Sequence, residues 1–387
     1  MKICVIIPSF YPAISYGGPI FSSLNICKEL SKIPNLEINV STTNINMSED
    51  KLKVLTNRWV KFSERFYVKY YNVLHLGFSL SLYLNLWRDI KKADVAHIQG
   101  IFNSPIPLAL FCAAALRRPI ILSPRGVLGG WCLERRYILK KIWLNFFIRP
   151  FALKVIWHAT GDSEKEEILL LYPRAQVKVI SNGVFIDEFS KSKSLNKKDY
   201  IQMFTNNRCE KVSKIVVSMG RLTEKKGFDI LIKAFNKVLL QHRDSYLLIA
   251  GPDESEGKNL LRLISELNLK QNVFLIGALE NQKKIDFLAN ADLFVLPSHN
   301  ENFGNVYVES LAAGTPIVAS LNTPWQKVED YNCGKWVANN VDTTFRAMLE
   351  LLRNDRTIMR NNSLEFSRNY DWSEVAEEFK TLFKKLL

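Results

Sequence analysis

The stretch DLFVLPSHNENFGNVYVESLAAGTPIVAS, residues 292–320, decides the fold that we predict for this chain. Its apolar runs at 293–296 and 316–319 predict two buried strands, because short apolar runs bounded by turn residues are typical of strands covered on both faces. A polar loop at 297–305 and a helix at 306–313 separate them. The helix is expected to end there because Gly314 accepts a left-handed conformation and Pro316 cannot continue a helix. This order of elements is one step of a parallel α/β sheet.

Two carboxylates lie eight residues apart in this stretch, Glu301 in the loop and Glu309 on the helix. Loops at the carboxyl ends of parallel strands bind ligands, and the next helix directs free N–H groups into the same crevice. Such N–H groups favour phosphate, whereas carboxylates accept hydrogen bonds from hydroxyls. We therefore expect a nucleotide or a sugar phosphate. The alternative is that both glutamates are solvated, since helical periodicity does not force Glu309 inward.

The pattern E-x-F-G-x-x-x-x-E followed by LAAGTPIVAS resembles the donor-binding signature of the family 4 retaining glycosyltransferases. The resemblance implies an α/β fold with two Rossmann-like domains facing across a cleft (GT-B) and a C-terminal helix that crosses back to the first domain. It implies sugar transfer from a nucleotide-sugar donor with retention of configuration, as in synthesis of bacterial surface polysaccharide or lipopolysaccharide. Glu309 would then hold the ribose hydroxyls and Glu301 the donor sugar. The donor would also contact Asn302, Phe303, Gly304 and Asn305, largely through backbone N–H groups.

A second motif, GRLTEKKGFD at residues 220–229, follows a predicted strand at 215–219. Arg221 and Lys226 can converge from this short loop on a diphosphate and stabilise the charge that builds on the leaving nucleotide. The spacing is not that of a P-loop, but it resembles the G-R-x-x-x-x-K-G pattern of the same family. Solvated side chains are the alternative interpretation. We expect Arg221, Lys226 and Glu301 to be catalytic.

Three further backbone regions are candidate donor contacts. Gly17 and Gly18 stand where a helix begins after the first predicted strand, without the G-x-G-x-x-G spacing of a dinucleotide site. A plain turn is the alternative, but the resemblance implies that this glycine pair lies beside the donor diphosphate. It also implies that Ile276 and Gly277, after a strand at 273–276, contact the base.

The acceptor side is expected in the first half of the chain. A predicted strand at 94–98 contains His97, and the family often has H-x-H here, although Gln99 replaces the second histidine. Many relatives have a histidine near the position of Arg125, which lies in the loop SPRGVL. Arginine would place a permanent, bidentate cation beside phosphate or acceptor, and we expect it to be catalytic. The alternatives are a structural His97 and a surface Arg125.

Length and composition predict two domains. The 387 residues, 47% hydrophobic and 23% charged, suit two globular α/β domains. We expect an acceptor-side domain at 1–190, a linker and surface excursion at 191–211, a nucleotide-sugar domain at 212–370, and the returning helix at 371–387. Residues 48–62 have no clear periodicity.

The net charge of +14 is uneven, because residues 1–190 contain 24 Lys and Arg against 14 Asp and Glu, or +10. The first half is therefore expected to meet an anionic partner: nucleic acid, an anionic membrane face or a phosphorylated acceptor. No nucleic-acid reading motif is recognisable, so we expect no nucleic acid. Aromatic and basic residues alternate in residues 131–151. This segment is predicted either to lie on anionic lipid headgroups or to pack its aromatic side chains into the core.

No leader, membrane-spanning segment, C-x-x-C pair or Asp-x-Asp motif is evident in the sequence, whose six cysteines are scattered. We expect a cytoplasmic, metal-independent enzyme without a cofactor. Peripheral association with the inner face of the plasma membrane is a further hypothesis. Its partners would be a nucleotide-sugar, UDP-linked or GDP-linked, and a glycan or lipid-linked oligosaccharide acceptor. A nucleotide-sugar epimerase or sugar phosphorylase of the same fold and a basic nucleic-acid-binding protein are the alternatives.

Overall fold

The computed structural model describes residues 1–46, 50–74, 77–134 and 136–387, which form two compact units. The first unit comprises Met1–Gly183 and Trp372–Leu387, and the second comprises Val184–Asp371. Each unit contains a mainly parallel sheet with connecting helices, so the predicted α/β fold of two Rossmann-like domains is confirmed.

The strands are numbered in chain order: β1 (Lys2–Ser9), β2 (Glu37–Thr43), β3 (Trp59–Ser63), β4 (Phe66–Tyr71), β5 (Val95–Gln99), β6 (Ile120–Ser123), β7 (Ile156–Ala159), β8 (Gln176–Val179), β9 (Ile215–Met219), β10 (Tyr246–Ala250), β11 (Val273–Gly277), β12 (Leu293–Leu296), β13 (Ile317–Ser320) and β14 (Gly334–Val337).

The α-helices are α1 (Gly18–Lys32), α2 (Leu80–Lys91), α3 (Pro105–Ala115), α4 (Gly130–Glu134), α5 (Tyr137–Trp143), α6 (Asp162–Leu171), α7 (Ile186–Phe189), α8 (Lys197–Thr205), α9 (Phe228–Leu239), α10 (Gly257–Glu266), α11 (Asn281–Ala289), α12 (Asn305–Ala312), α13 (Val341–Arg353), α14 (Arg356–Ser367) and α15 (Trp372–Leu386). Short 3-10 turns occupy Ile14–Tyr16, Glu224–Lys226, Gln326–Val328 and Arg368–Tyr370, and a π-helical turn follows α5 at Leu144–Ile148.

The first unit has an eight-stranded sheet in the order β3-β4-β2-β1-β5-β6-β7-β8. Its neighbouring strands are parallel except β3 and β4, which form an antiparallel edge. Sequence periodicity did not reveal β3, because an edge strand has one neighbour and its side chains are alternately exposed and half-buried. Residues 47–49, which overlap the start of the region without clear periodicity at 48–62, lie outside the described residues.

The second unit has a six-stranded parallel sheet in the order β11-β10-β9-β12-β13-β14. Its central strands β9 and β12 are apolar along most of their length and buried, as expected for strands with helices over both faces. The stretch that opens the sequence argument forms β12, α12 and β13 within one residue of the predicted bounds. All carboxyl ends of this sheet therefore lie along one edge.

The expected linker at 191–211 is wrong in two respects. The first unit ends at Gly183, and Phe189 is already buried in the core of the second unit. Helix α8 then occupies part of the predicted linker and buries Tyr200 and Ile201 in that core, where the Tyr200 hydroxyl donates to the Phe287 carbonyl oxygen at 2.8 Å. Only two residues of this nine-residue helix are buried, which is too few for a clear periodic signal in the sequence.

Helix α15 belongs to the first unit, in agreement with the predicted return of the chain. An apolar stripe on α15 buries Val375, Phe379 and Phe383, and the helix packs against α1. No helix among the described residues is both long and apolar enough to cross a membrane.

Candidate functional site

The sheet of the second unit reverses its direction of growth between β9 and β12. The chain proceeds from β9 to β10 on one side, and from β12 to β13 on the other. Open α/β sheets bind ligands outside the carboxyl ends of the strands at such a reversal. The loop after β9 (220–227) and the loop after β12 (297–304) both begin there, so the two predicted motifs flank this point.

Direct backbone contacts join the two loops. Gly227 has a φ of 66°, and a Cβ atom there would lie 2.2 Å from the carbonyl oxygen of Pro297, so no other residue fits without a shift. The His299 N–H donates to the Lys225 carbonyl oxygen at 2.8 Å. The loops therefore hold each other at a fixed separation.

Lys226 and Glu301 form an ion pair between these loops. Lys226 Nζ donates to Glu301 Oε2, and their side chains are 15% and 18% exposed. A Cβ atom at Gly220 would lie 3.3 Å from Lys226 Cε, so the lysine stem passes over the end of β9. The structure thus brings together one predicted base and one predicted acid from loops 75 residues apart.

Arg221 has a different partner. Its Nη1 donates to both carboxylate oxygens of Glu254, at 3.0 and 3.2 Å, and its side chain is 48% exposed. Arg221 and Lys226 therefore face separate carboxylates rather than one shared group. Glu254 was not predicted from the sequence, although its position just after β10 places it at the same sheet edge.

Glu309 pairs with a lysine that the sequence argument also missed. Lys284 Nζ, on α11, donates to Glu309 Oε1 at 2.8 Å, and both side chains are partly buried. The helices α11 and α12 pack together, which brings these residues into contact. Local spacing carries no signal for a pair on two successive helices.

The loop before α12 presents unpaired hydrogen-bond donors. Phe303 is buried against Trp325, whose Nε1 donates to the Phe303 carbonyl oxygen at 2.6 Å. The N–H groups of Asn302, Phe303 and Gly304 have no acceptor within the described residues, and Asn302 Nδ2 is also buried without one. Asn305 begins α12. The loop thus offers donors to a ligand while its phenylalanine anchors it.

Glycines line the same edge towards β11. Gly251 has a φ of 150°, and a Cβ atom there would lie 1.8 Å from the Gly220 carbonyl oxygen. The Gly251 N–H donates to the Gly277 carbonyl oxygen at 2.8 Å. Gly277 is exposed and Ile276 half-buried. Both predicted base contacts therefore lie at this edge, beside Gly251, which the sequence argument did not select.

In the first unit, Gly17 and Gly18 stand at the start of α1, as predicted. Gly17 has a φ of 75° and is the N-cap residue of α1, and nothing lies within 4 Å of a Cβ atom built on it. There is therefore open space beside Gly17 at the start of α1.

The expectation that His97 contacts an acceptor is wrong, because its side chain is 2% exposed. Phe379 of α15 covers it, with 5.7 Å between ring centroids. The Ser123 hydroxyl lies 2.8 Å from His97 Nε2 and 2.7 Å from His158 Nδ1, and His158 Nε2 lies 2.9 Å from the Ile180 carbonyl oxygen.

The tautomers of both histidines follow from this chain of contacts. A carbonyl oxygen only accepts, so neutral His158 carries its proton on Nε2, Ser123 donates to His158 Nδ1, and His97 Nε2 donates to Ser123. Burial, with the charge of Arg125, lowers the pKa of His158 to about 3. Burial also lowers the pKa of His97 well below its usual value. The pair is neutral and structural.

Arg125 adopts a φ of 60° and is half-buried. Its Nη2 and Nε donate to Gln99 Oε1 at 3.0 and 3.3 Å, and its Nη1 donates to Asn182 Oδ1 at 3.3 Å. Burial lowers the pKa of its guanidinium group. It is therefore not a solvated surface arginine.

Residues 131–151 combine both predicted behaviours. Leu144 and Ile148 pack into the core of the first unit, whereas the face shared by Ile138, Ile142 and Phe146 is exposed. Ile138 and Phe146 are each 72% exposed. Arg135 lies outside the described residues. The core interpretation is thus wrong for this face.

Within the described residues, no three His, Cys, Asp or Glu side chains are grouped as metal ligands.

Residues 201–369, within the second unit, match the family described as Glycosyl transferases group 1. The chain is 29% identical over 284 residues to a GDP-mannose-dependent monoacylated alpha-(1-6)-phosphatidylinositol monomannoside mannosyltransferase of Corynebacterium glutamicum, covering 68% of each chain. It is 23% identical over 309 residues to the O-antigen biosynthesis glycosyltransferase WclY of Escherichia coli, covering 78% of this chain and 82% of that one. It spans only 58% of another curated relative that is 30% identical to it.

The fold is similar to that of Anabaena Alr3699/HepE, solved in complex with UDP. The TM-score is 0.72 at 16% identity, over the whole of both chains. At this identity the likeness shows the fold.

Proposed function

We infer from the family match and the shared fold that this chain is a group 1 glycosyl transferase, and we propose that it moves a sugar from a nucleotide-sugar to an acceptor with retention of configuration. The proposed donor is a UDP-sugar, with a GDP-sugar as the alternative. The proposed acceptor is a glycan or lipid-linked oligosaccharide of cell-surface polysaccharide synthesis. The E. coli relative, named for O-antigen biosynthesis, supports that acceptor class.

The observation that carries the proposal is the Lys226–Glu301 pair at the reversal point of the second sheet. The N–H groups of residues 302–304, in the same loop as Glu301, have no acceptor within the described residues. A donor diphosphate exchanges with Glu301 as the partner of Lys226, and Glu301 then accepts hydrogen bonds from sugar hydroxyls. Lys226 and Arg221 stabilise the negative charge that develops on the leaving nucleoside diphosphate. Glu309 accepts hydrogen bonds from the ribose hydroxyls, and the N–H groups of residues 302–304 donate to the nucleotide-sugar.

Metal independence is part of the proposal, because Arg221 and Lys226 already place two cations on the loop where the diphosphate would lie. We expect turnover to survive excess EDTA. Loss of turnover that Mg²⁺ or Mn²⁺ restores would contradict this.

Nucleotide release from a panel of UDP-, GDP- and ADP-sugars tests the donor. The UDP complex of the Anabaena structure favours UDP, whereas the C. glutamicum relative is named as GDP-mannose-dependent. We expect release to depend on an added acceptor. Conversion of the donor without any acceptor, or a requirement for inorganic phosphate, would favour an epimerase or a phosphorylase instead.

An anionic membrane surface is the proposed site of action, on the inner face of the plasma membrane. Its contact would be the apolar face of Ile138, Leu139, Ile142 and Phe146, which is exposed in the first unit. Lys141 and Arg136 are exposed beside it, so the face combines apolar insertion with charge complementary to acidic headgroups.

Vesicle co-sedimentation tests this contact. We expect recovery with phosphatidylglycerol vesicles but not with neutral vesicles, and loss of recovery in the Ile138→Ser/Phe146→Ser variant. The matched control is Leu84→Ser/Leu170→Ser, which removes two comparably exposed apolar side chains elsewhere in the first unit. Equal recovery of both variants would reject the proposed face.

A further inference from the structure

The sheet of the first unit also reverses its direction of growth, between β1 and β5. Three elements meet around the end of β5. Ser23 of α1 donates from its hydroxyl to Gln99 Oε1 at 2.7 Å, and Arg125, from the loop after β6, donates to the same oxygen. Residues from three separate parts of the chain thus build one polar cluster where an open α/β sheet binds ligands.

The charge of Arg125 has no balancing carboxylate at contact distance. Its hydrogen-bond acceptors are the side-chain amides of Gln99 and Asn182, and it forms no ion pair with a carboxylate of the described residues. The nearby Glu164 is fully buried and already accepts from the Gly126 N–H and from the Thr160 N–H and hydroxyl, at 2.8 to 2.9 Å. A guanidinium removed from water without an anion is unfavourable.

Gln99 adds a second unsatisfied donor. Its side chain is 1% exposed, and its Nε2 has no acceptor within the described part of the chain. Rotating the amide by 180° would turn its NH2 group towards the N–H groups of Arg125, so donors would oppose donors. The orientation is therefore set by Arg125, and an unpaired N–H group remains on the same amide.

We propose that Arg125 and Gln99 form an anion site that binds an oxyanion, phosphate or carboxylate, carried by the acceptor. A planar guanidinium presents two parallel N–H groups to such an anion, and Arg125 is partly accessible while the Gln99 amide supplies a further donor. This proposal rests on the proposed function. It assigns the anion to the acceptor because the charged side chains proposed for the donor's diphosphate and ribose, Arg221, Lys226 and Glu309, lie in the second unit. The first unit offers the diphosphate only the uncharged backbone of Gly17 and Gly18.

Calorimetric titration with inorganic phosphate, on full-length protein saturated with UDP, tests the site. We expect the phosphate affinity of Arg125→Gln to be weaker by at least about tenfold, the size of one charge-assisted hydrogen bond. The control Arg88→Gln changes net charge equally at an exposed position and should match the wild type. Equal affinity in both variants would overturn the proposal. Phosphate that binds only without UDP would also overturn it, because the anion would then be the donor's.

The Gln99→Glu variant separates loss of the site from loss of folding. The new carboxylate pairs with Arg125 inside the chain, so we expect phosphate binding to disappear while the thermal midpoint stays at or above that of the wild type. Gln241→Glu is the matched control, because Gln241 Oε1 accepts from Arg353 at 2.8 Å on the surface of the second unit. Phosphate binding by Gln99→Glu at wild-type affinity would contradict the proposal.

The UDP titration that precedes each experiment keeps the two proposals apart. Absence of UDP, GDP and ADP binding would count against the proposed function. Phosphate binding that Arg125→Gln abolishes would still establish an anion site, whereas normal UDP binding without phosphate binding would reject the anion site alone.

Discussion

The two units place polar residues at the same topological position, the reversal point of a parallel sheet, but balance charge there in different ways. In the second unit Lys226 faces Glu301, Arg221 faces Glu254 and Lys284 faces Glu309. In the first unit Arg125 faces only neutral amides. A ligand must therefore exchange partners with charges already paired in one unit, and can supply a missing charge in the other.

The largest effect is expected on removal of Lys226, whose charge is paired with Glu301 in the second unit. In Lys226→Met, Glu301 loses its partner and the proposed leaving diphosphate would lose a cation, so we expect kcat to fall about 10²- to 10³-fold. Steady-state kinetics with the donor found in the nucleotide panel measures this. The control Lys233→Met removes an exposed lysine that pairs with Asp229 on α9. A kcat within threefold of the wild type would show that Lys226 has no catalytic function.

Replacing Glu309 tests whether the second pair serves binding rather than chemistry. Glu309→Gln would weaken the charge-assisted hydrogen bonds that we propose to the ribose, so we expect the donor KM to rise about 10- to 100-fold with little change in kcat. Glu365→Gln, exposed on α14, is the control. A fall in kcat at unchanged KM would place Glu309 in the chemical step instead.

Acid should destabilise the first unit through its neutral histidines. Because the pKa of His158 is lowered to about 3 in the folded chain, the unfolded chain binds more protons below its ordinary value of 6.5. The contribution of His158 to the free energy of unfolding is therefore complete at neutral pH and decreases as the pH falls below about 6.5. We expect this residue alone to lower the free energy of unfolding by about 2 kcal/mol at pH 5. His97, with its pKa also lowered, acts in the same direction.

Urea unfolding at pH 7 and pH 5 measures this loss, and proton NMR of the imidazole rings isolates its cause. We expect the signals of His97 and His158 not to titrate between these pH values in the folded protein. Titration of either ring near 6.5 would mean that the buried pair becomes charged.

The smallest effect is expected at Lys284, which acts on a ligand only through Glu309. Its ion pair is partly exposed, and such pairs contribute about 0 to 1 kcal/mol. We therefore expect Lys284→Met to change the donor KM less than about fivefold, with Lys335→Met, which loses its pair with Glu350, as the control. A tenfold rise would show that Lys284 contacts the donor directly.

Local sequence patterns correctly predicted the features that depend on one continuous stretch of the chain. The apolar run at β12, the stop at Gly314 and the loop motifs predicted the strand, the helix and the edge on which Lys226 and Glu301 meet. The pattern failed for the edge strand β3 and for α8, because neither shows a clear periodic stripe. His97 was misassigned because its cover, Phe379, lies 282 residues further along the chain.

By itself, the amino-acid sequence determined the order of strands and helices, the loops that carry the charged residues and the resemblance to a glycosyltransferase signature, because these depend on neighbours close in the chain. Only the tertiary structure decided which polar side chains meet. Lys284 with Glu309, Arg221 with Glu254 and Arg125 with Gln99 are each brought together by the packing of separate elements, so their partners depend on the folded arrangement and not on local spacing.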